Sequence, residues 1–232
     1  MIRFFCKGAA VGSCVELDKE SLNHARALRV REGEEVELLD GCGTVWKGTF
    51  GKEGVRISSV REKDRQTPEI ILCVGITQGG SFDDVVRQAV QMGVSEVCPL
   101  ITQRVAINFE NKRLNNKMER WGKIAEEGCK QSGLAWLPKI KRPTRFAEAV
   151  SAYGRDRNIV ASLYGAITPW KELKLGGVHR IVLWIGPEGD FSKDEYEALL
   201  AKGAEFVGLG DAVLRVETAC VAVLASLRAI LS

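Results

Sequence analysis

The sequence predicts an α/β protein: a parallel sheet in its C-terminal part, preceded by a small β-rich domain. Three observations predict this. From residue 70 onward, apolar runs of strand length alternate with helical patterns, the βαβ rhythm of a sheet covered on both faces. Two of those runs, within residues 179–189 and 206–219, stop at glycine and lead into a helix signal. Residues 1–67 instead carry short strand-length runs separated by Gly and Asp-Gly turns.

Taken in order, residues 1–67 suggest a small barrel. Arg3-Phe-Phe, Cys14–Leu17, Glu35–Leu39, Val45–Phe50 and Val55–Val60 have strand length, and turns fall at Asp40–Gly43 and Gly51–Gly54. Lys19–Leu28 is the exception and reads as a helix ending in His24-Ala-Arg-Ala-Leu-Arg-Val30. Its arginines Arg26 and Arg29, with Arg31 beyond, suit either an exposed helix face or a polyanion contact. Glu62–Pro68 is polar and charged and reads as a linker, which puts the domains at 1–67 and 68–232.

Beyond the linker, Ile70–Ile76 is a strand, and Ser81-Phe-Asp-Asp84 caps a helix with apolar residues at 82, 85, 86, 89 and 90. Val94–Ile101 completes a βαβ unit. Leu114, Met118, Trp121 and Ala125 recur at helical spacing, a core stripe in a helix that Gly133 terminates. Arg145–Tyr153 is a further short helix, and Asn158–Gly165 reads as a strand followed by a loop. After the strand at 179–185, Ser192-Lys-Asp-Glu195 is a capping box. The final helix, Ala219–Leu231, is apolar nearly all round, with Arg228 its only charge, and needs cover on more than one face.

Composition excludes several classes. Apolar residues make up 45% and charged residues 27%, an ordinary globular balance. Seven cysteines (6, 14, 42, 73, 98, 129, 220) show no C-x-x-C pair and accompany only two histidines, which argues against a disulfide framework or a zinc site. We read them as reduced thiols, which implies the cytoplasm. No charged-then-apolar leader opens the sequence, and no apolar run approaches the ~20 residues of a membrane span. Net charge is only +3, but Arg104–Arg145 holds 11 basic and 4 acidic residues. That stretch is either a solvated helical face or a surface for phosphates.

The two glycine turns carry the chemistry. Gly186-Pro187-Glu188-Gly189 sets a rigid Pro and an acid between glycines, and Leu214-Arg215-Val216-Glu217-Thr218 sets an Arg and a Glu two residues apart where a sheet edge becomes an apolar helix. Charges placed there cost desolvation unless something pairs with them. No G-x-x-x-x-G-K-[ST] is present, and Gly208-Leu-Gly210 lacks the third glycine and the later acid of a dinucleotide site.

Ile185-Gly-Pro-Glu-Gly-Asp-Phe-Ser-x-x-Glu195 followed by Leu209-Gly-x-x-Val-Leu-Arg-x-Glu-Thr-Ala219 resembles the SPOUT methyltransferases. Within them the chain is similar to the bacterial 16S rRNA uridine-N3 methyltransferases, and the similarity covers essentially the whole chain. His24-x-x-x-Leu28-Arg29 and Lys130-Gln131-Ser132 fit the same family. The chain departs from it at Gln91, where the family carries Glu, at Leu134, where it carries Arg, and at Asp190, where it carries Gly.

The resemblance implies a SPOUT-type sheet with a trefoil knot behind a PUA-like RNA-binding barrel. It also implies S-adenosyl-L-methionine as methyl donor and 16S rRNA of the small ribosomal subunit as partner. The donor is then expected among Leu163, Gly186, Pro187, Glu188, Gly189, Leu209, Gly210, Val213, Leu214 and Arg215. Arg215 and Glu217 become the catalytic candidates, Arg215 for the charge that develops on the base and Glu217 for its proton. Arg3, His24, Arg26, Arg29, Arg104, Arg120, Lys123 and Gln131 are the candidate RNA contacts. A homodimer with sites completed across its interface is expected from the same resemblance. Two alternatives stay open: a non-catalytic RNA-binding protein, and a SPOUT enzyme acting at another RNA position.

Overall fold

The structure, a computed structural model, describes residues 1–77, 81–105, 111–163 and 167–231. Residues 164–165 of the expected third loop lie outside the described residues. The chain forms two compact units, Met1–Arg65 with Glu126–Leu137, and Gln66–Ala125 with Pro138–Ser232. The first unit thus takes the last turns of a helix and a short tail from far along the chain, which local sequence pattern does not reveal.

The first unit contains β1 (Ile2–Phe5), β2 (Cys14–Val15), α1 (Lys19–Ala27), β3 (Glu35–Leu39), β4 (Thr44–Gly51) and β5 (Gly54–Glu62). The strands form a mainly antiparallel sheet in the order β1-β3-β4-β5-β2, with β1 parallel to β3 and a register shift between Lys47 and Gly48. Phe4, Val36, Leu38, Trp46, Val55 and Ile57 fill its interior. At β3 the inside-outside alternation fails, because Glu37 is buried among apolar neighbours. Its carboxylate is paired on both oxygens, with Arg3 at 2.8 Å and Arg61 at 2.5 Å, which offsets the cost of burying it.

Helix α1 begins where Asp18 accepts a hydrogen bond from the Ser21 N–H at 2.7 Å, and that bond holds the Asp18 carboxyl below its ordinary range. The helix ends in a Schellman arrangement, with Val30 N–H on the Ala25 carbonyl and Arg29 N–H on that of Arg26. Arg29 therefore sits at φ 56°, the left-handed position that normally falls to glycine.

The second unit contains β6 (Glu69–Gly75), α2 (Ser81–Gln91), β7 (Glu96–Ile101), α3 (Asn111–Ser132, its last turns in the first unit), β8 (Lys139–Ile140), β9 (Thr144–Arg145), α4 (Phe146–Tyr153), β10 (Arg157–Ala161), β11 (Arg180–Ile185), α5 (Lys193–Leu200), β12 (Glu205–Val207) and α6 (Val216–Leu231). The strands pair in parallel in the order β12-β10-β11-β6-β7-β8, with β9 also on β7. The predicted stripe on α3 points inward: Trp121 and Ala125 are fully buried, Leu114 and Met118 half-buried. Trp121 packs on Phe82 with ring centroids 4.7 Å apart and donates to Asp83.

A core of Phe146, Val160, Val182, Trp184 and Phe191 lies on one side of the sheet. Trp184 keeps its indole N–H satisfied by donating to Asn158 at 2.8 Å. All seven cysteines are free thiols. Among the described residues no helix is long and apolar enough to cross a membrane.

Candidate active site

The sheet order decides where a site forms. The chain steps from β6 to β7 toward one edge and then crosses to lay β10, β11 and β12 on the other side. The loops that follow β10, β11 and β12 consequently leave the same, C-terminal, edge of the parallel sheet, where open α/β sheets bind ligands. They enclose a cavity of about 1000 Å³.

The loop after β11 forms its wall through a tight turn, in which Asp190 N–H bonds to the Pro187 carbonyl at 2.8 Å. Glycine is required at two contacts. A Cβ on Gly186 would lie 2.6 Å from Asp190 Oδ1 and 2.9 Å from both Asp190 Cα and Phe191 N, so the turn closes only over a bare Cα. A Cβ on Gly75, the last residue of β6, would lie 2.4 Å from Pro187 N. Gly189 has no such need, since its Cβ would meet only Arg104 carbons at 3.6 and 3.7 Å.

The capping box at α5 anchors this wall. Ser192 Oγ accepts from Glu195 N–H at 3.2 Å, and Glu195 Oε2 accepts from Ser192 N–H at 2.8 Å. The buried Glu195 uses its other oxygen to accept from Gln103 N–H at 2.9 Å, which ties the segment after β7 to the start of α5. Arg104, next along that segment, lines the cavity and donates to the Gly189 carbonyl.

Of the donor-site residues expected from sequence, Leu163, Gly186, Pro187, Glu188, Gly189, Leu209, Val213, Leu214 and Arg215 all line this cavity. Gly210 falls just outside the lining, exposed at φ 102°. Glu217 lines the cavity with Arg215, and among the described residues neither side chain has a hydrogen bond or ion pair. A structural Arg215–Glu217 tie is thus not what keeps these charges here. Burial raises the thiol pKa of Cys220, and the negative charge of Glu217 pushes it the same way, so the thiol remains protonated and inert.

The expected RNA contacts fare unevenly. Arg26 and Arg29 are exposed on the first unit, and His24 is half-buried, edge-on to Phe4. Arg3 is committed internally, to Glu37 and to the carbonyls of Lys130 and Gln131 at 3.0 and 3.3 Å. On the second unit Arg120 pairs with Asp83 at 2.5 Å, and Lys123 pairs with Glu119 at 3.1 Å. Gln131 exposes its side chain.

Sequence reasoning missed Ser162, Tyr196 and Phe206, which also line the cavity. Tyr196 follows the capping-box Glu195 directly, but a single tyrosine in a helix reads as packing, and its partners come from other loops.

Comparison with known proteins agrees with this geometry. An RNA methyltransferase domain profile matches residues 64–228, and an RNA methyltransferase PUA domain profile matches residues 17–58. The ribosomal RNA small subunit methyltransferase E of Aquifex aeolicus is 30% identical, over 93% of this chain and 94% of that protein. The ribosomal RNA small subunit methyltransferase E 2 of Borreliella burgdorferi is 32% identical, over 88% of this chain and 85% of its own length. The crystal structure of a ribosomal RNA small subunit methyltransferase E from Neisseria gonorrhoeae, bound to S-adenosyl methionine, superposes with a TM-score of 0.88 at 26% identity, covering 99% of this chain and 98% of that one. With a family match over most of its length, a fold shared end to end and the glycine-loop cavity in place, the chain belongs to the RNA methyltransferase family of the ribosomal RNA small subunit methyltransferases E.

Proposed function

We propose that the chain is an S-adenosylmethionine-dependent methyltransferase acting on N3 of a uridine in 16S rRNA. The observation that carries this reading is the cavity itself, where Arg215 and Glu217, both without partners among the described residues, meet the 186–189 glycine loop. The cavity fits the donor in chemistry as well as size. Leu163, Leu209 and Leu214 offer apolar faces for an adenine, and Gly186 lets backbone approach a ligand closely. Glu188 and Glu217 supply carboxylates to a cationic ligand.

When bound, the donor supplies an electrophilic methyl group on a sulfonium, whose carbon–sulfur bond breaks with the electron pair going to sulfur. The residues of this chain do the rest. The cavity loops align the methyl carbon with the incoming nitrogen, and alignment alone can remove a large share of the barrier. Glu217 accepts the N3 proton of the base and orients Arg215, whose guanidinium faces the negative charge spread onto the neighbouring carbonyl oxygens. The methyl then bonds to nitrogen and the proton stays with the carboxylate.

The same family membership supports a wider reading. Residues 1–67 act as the RNA-binding domain and residues 68–232 as the transferase domain, with the C-terminal segment threaded as a trefoil knot. The protein works in the cytoplasm as a homodimer. In the RNA-binding domain the left-handed Arg29 is the most telling contact, since glycine would serve the helix end better. Arg29→Gly is expected to raise stability by about 0.5–1 kcal/mol while flattening the slope of log affinity against log salt by about one. Opposite signs in a denaturant titration and an RNA-binding series would identify a residue kept for its charge. An unchanged slope would return Arg29 to a helix-end role.

The function is tested by incubating the chain with donor and small ribosomal subunits that lack the modification, then digesting the rRNA and weighing its nucleosides. 3-Methyluridine is expected. A 2′-O-methyl nucleoside or another methylated base would assign a related reaction, and RNA binding without methylation would make the chain a non-catalytic binder. Donor at ~100 times its Kd should also stabilise the protein by about 2.7 kcal/mol.

A further inference from the structure

We propose that Tyr196 is the positioning residue of the donor cavity, latching together the loops after β10 and β11 and the end of β12 through Asp190 and Ser162. The proposal rests on reading this cavity as the donor site. Its starting point is backbone geometry. Asp190 stands at φ 59°, a conformation that costs an L-residue about 1 kcal/mol and that glycine adopts freely. A non-glycine residue is worth having there when its side chain is put to use.

That side chain has a defined task. The Tyr196 hydroxyl lies 2.8 and 2.9 Å from the two Asp190 carboxylate oxygens, and Oδ1 also accepts from Phe191 N–H at 2.8 Å. Ser162 Oγ donates to the Tyr196 hydroxyl at 3.3 Å, and the Ser162 N–H bonds to the carbonyl of Val207, the last residue of β12, at 3.0 Å. The Tyr196 ring is wedged between Phe191 and Phe206, each with its centroid 5.6 Å away. One hydroxyl therefore joins the loop after β10 to the loop after β11, and the ring beneath it packs against β12. All three segments line the cavity.

The chemistry of the latch follows from its placement. A phenol clamped by two rings keeps its hydroxyl in one place, and a hydrogen bond to a carboxylate is stronger than a neutral one. With the latch closed the three loops hold one spacing. With the hydroxyl removed, Asp190 loses its longer-range partner and the 186–190 turn can shift against Ser162. The latch sets how well the cavity is formed before the donor arrives, so its loss weakens binding and leaves the chemical step alone.

The test is calorimetric titration of the full chain with S-adenosylmethionine and with S-adenosylhomocysteine, alongside steady-state kinetics. Tyr196→Phe keeps the ring and deletes only the hydroxyl. It should raise both dissociation constants by the same factor, about tenfold. The donor KM should rise in step, with kcat at saturating donor and the RNA KM unchanged. Asp190→Gly should match it, and the double variant should be no worse than either single one, because both cut the same connection. Asp190→Asn keeps an acceptor and tolerates the left-handed backbone, so it should bind within about threefold of wild type. Wild-type affinity in Tyr196→Phe, or additive losses in the double variant, would overturn the latch. A loss in Asp190→Asn confined to S-adenosylmethionine would also overturn it, by showing that the Asp190 charge acts on the sulfonium directly. Failure of the wild-type chain to bind either ligand would instead overturn the donor reading, and the latch with it.

Discussion

Gly186→Val is expected to abolish donor binding, lowering affinity by more than about a hundredfold, while the far-UV spectrum stays that of the wild type. The reason is steric and local. A Cβ at 186 would sit 2.6 Å from Asp190 Oδ1 and 2.9 Å from Asp190 Cα and Phe191 N, two of which are backbone atoms that no rotamer change can move. The 187–190 turn must open to admit it, and that turn is a wall of the cavity. Strand β11 and helix α5 end before and begin after the distortion, which is why the secondary structure survives. Overpacking so close to the buried Phe191 should still cost about 1–3 kcal/mol of stability. The same loop contains its own control. Gly189→Ala adds a Cβ whose nearest neighbours, at 3.6 and 3.7 Å, are in ordinary contact, so it should bind donor much as the wild type does. Calorimetry on the two variants decides the matter. Wild-type affinity in Gly186→Val would put the donor elsewhere, and equal losses in both would mean that the loop tolerates no substitution at all.

Those contacts also mark the limit of what the sequence could tell. Periodicity was enough for elements whose reasons are local: the inward stripe of Trp121 and Ala125 on α3, and the Ser192–Glu195 box that starts α5. The two glycine motifs were legible for a related reason, since a turn, a charge pair and a helix start are all written within a dozen residues. The cavity they line was legible only as a meeting of loops. Long-range partners were not legible. Nothing near Gly75 shows that Pro187 will close over its Cα, and nothing near Glu195 shows that its free oxygen will hold the Gln103 N–H. Arg3 has the composition of a phosphate contact, yet the fold gives it Glu37 and two helix-end carbonyls. Arg120 likewise faces Asp83 across two helices. A basic residue count cannot distinguish cations spent on internal carboxylates from those left for a polyanion, because the carboxylate arrives from elsewhere in the chain. In sequence Asp190 stands out only as a departure from the family's glycine, and its φ and its contact with Tyr196 are what give it a structural role.

The second large effect is expected when two defective chains are mixed. Helix α6 buries Val216, Cys220, Val223, Leu224 and Leu227, yet Val221 and Ala222 are only half-buried, and Ala225, Ala229 and Ile230 are exposed. Val213, on the cavity loop just before it, is 83% exposed. An apolar helix of this kind gains from further cover, and a second copy of the same face would supply it in an isologous dimer. Sedimentation at micromolar concentration should therefore give a mass near twice 25.5 kDa. If RNA held by one subunit's N-terminal domain reaches the other's cavity, two individually dead chains can rescue each other. Arg215→Ala is expected to keep RNA binding and to lose the proposed catalytic guanidinium; a chain carrying Arg26→Glu and Arg29→Glu is expected to keep that guanidinium and to lose RNA binding. Random pairing makes about half of the dimers mixed, each with one of its two composite sites intact, so about a quarter of wild-type activity should return where each variant alone gives almost none. Sites that work within a single subunit would return nothing on mixing, because no subunit has both parts. A dimer without rescue would keep the interface and remove its catalytic role, and a clean monomer at micromolar concentration would remove both.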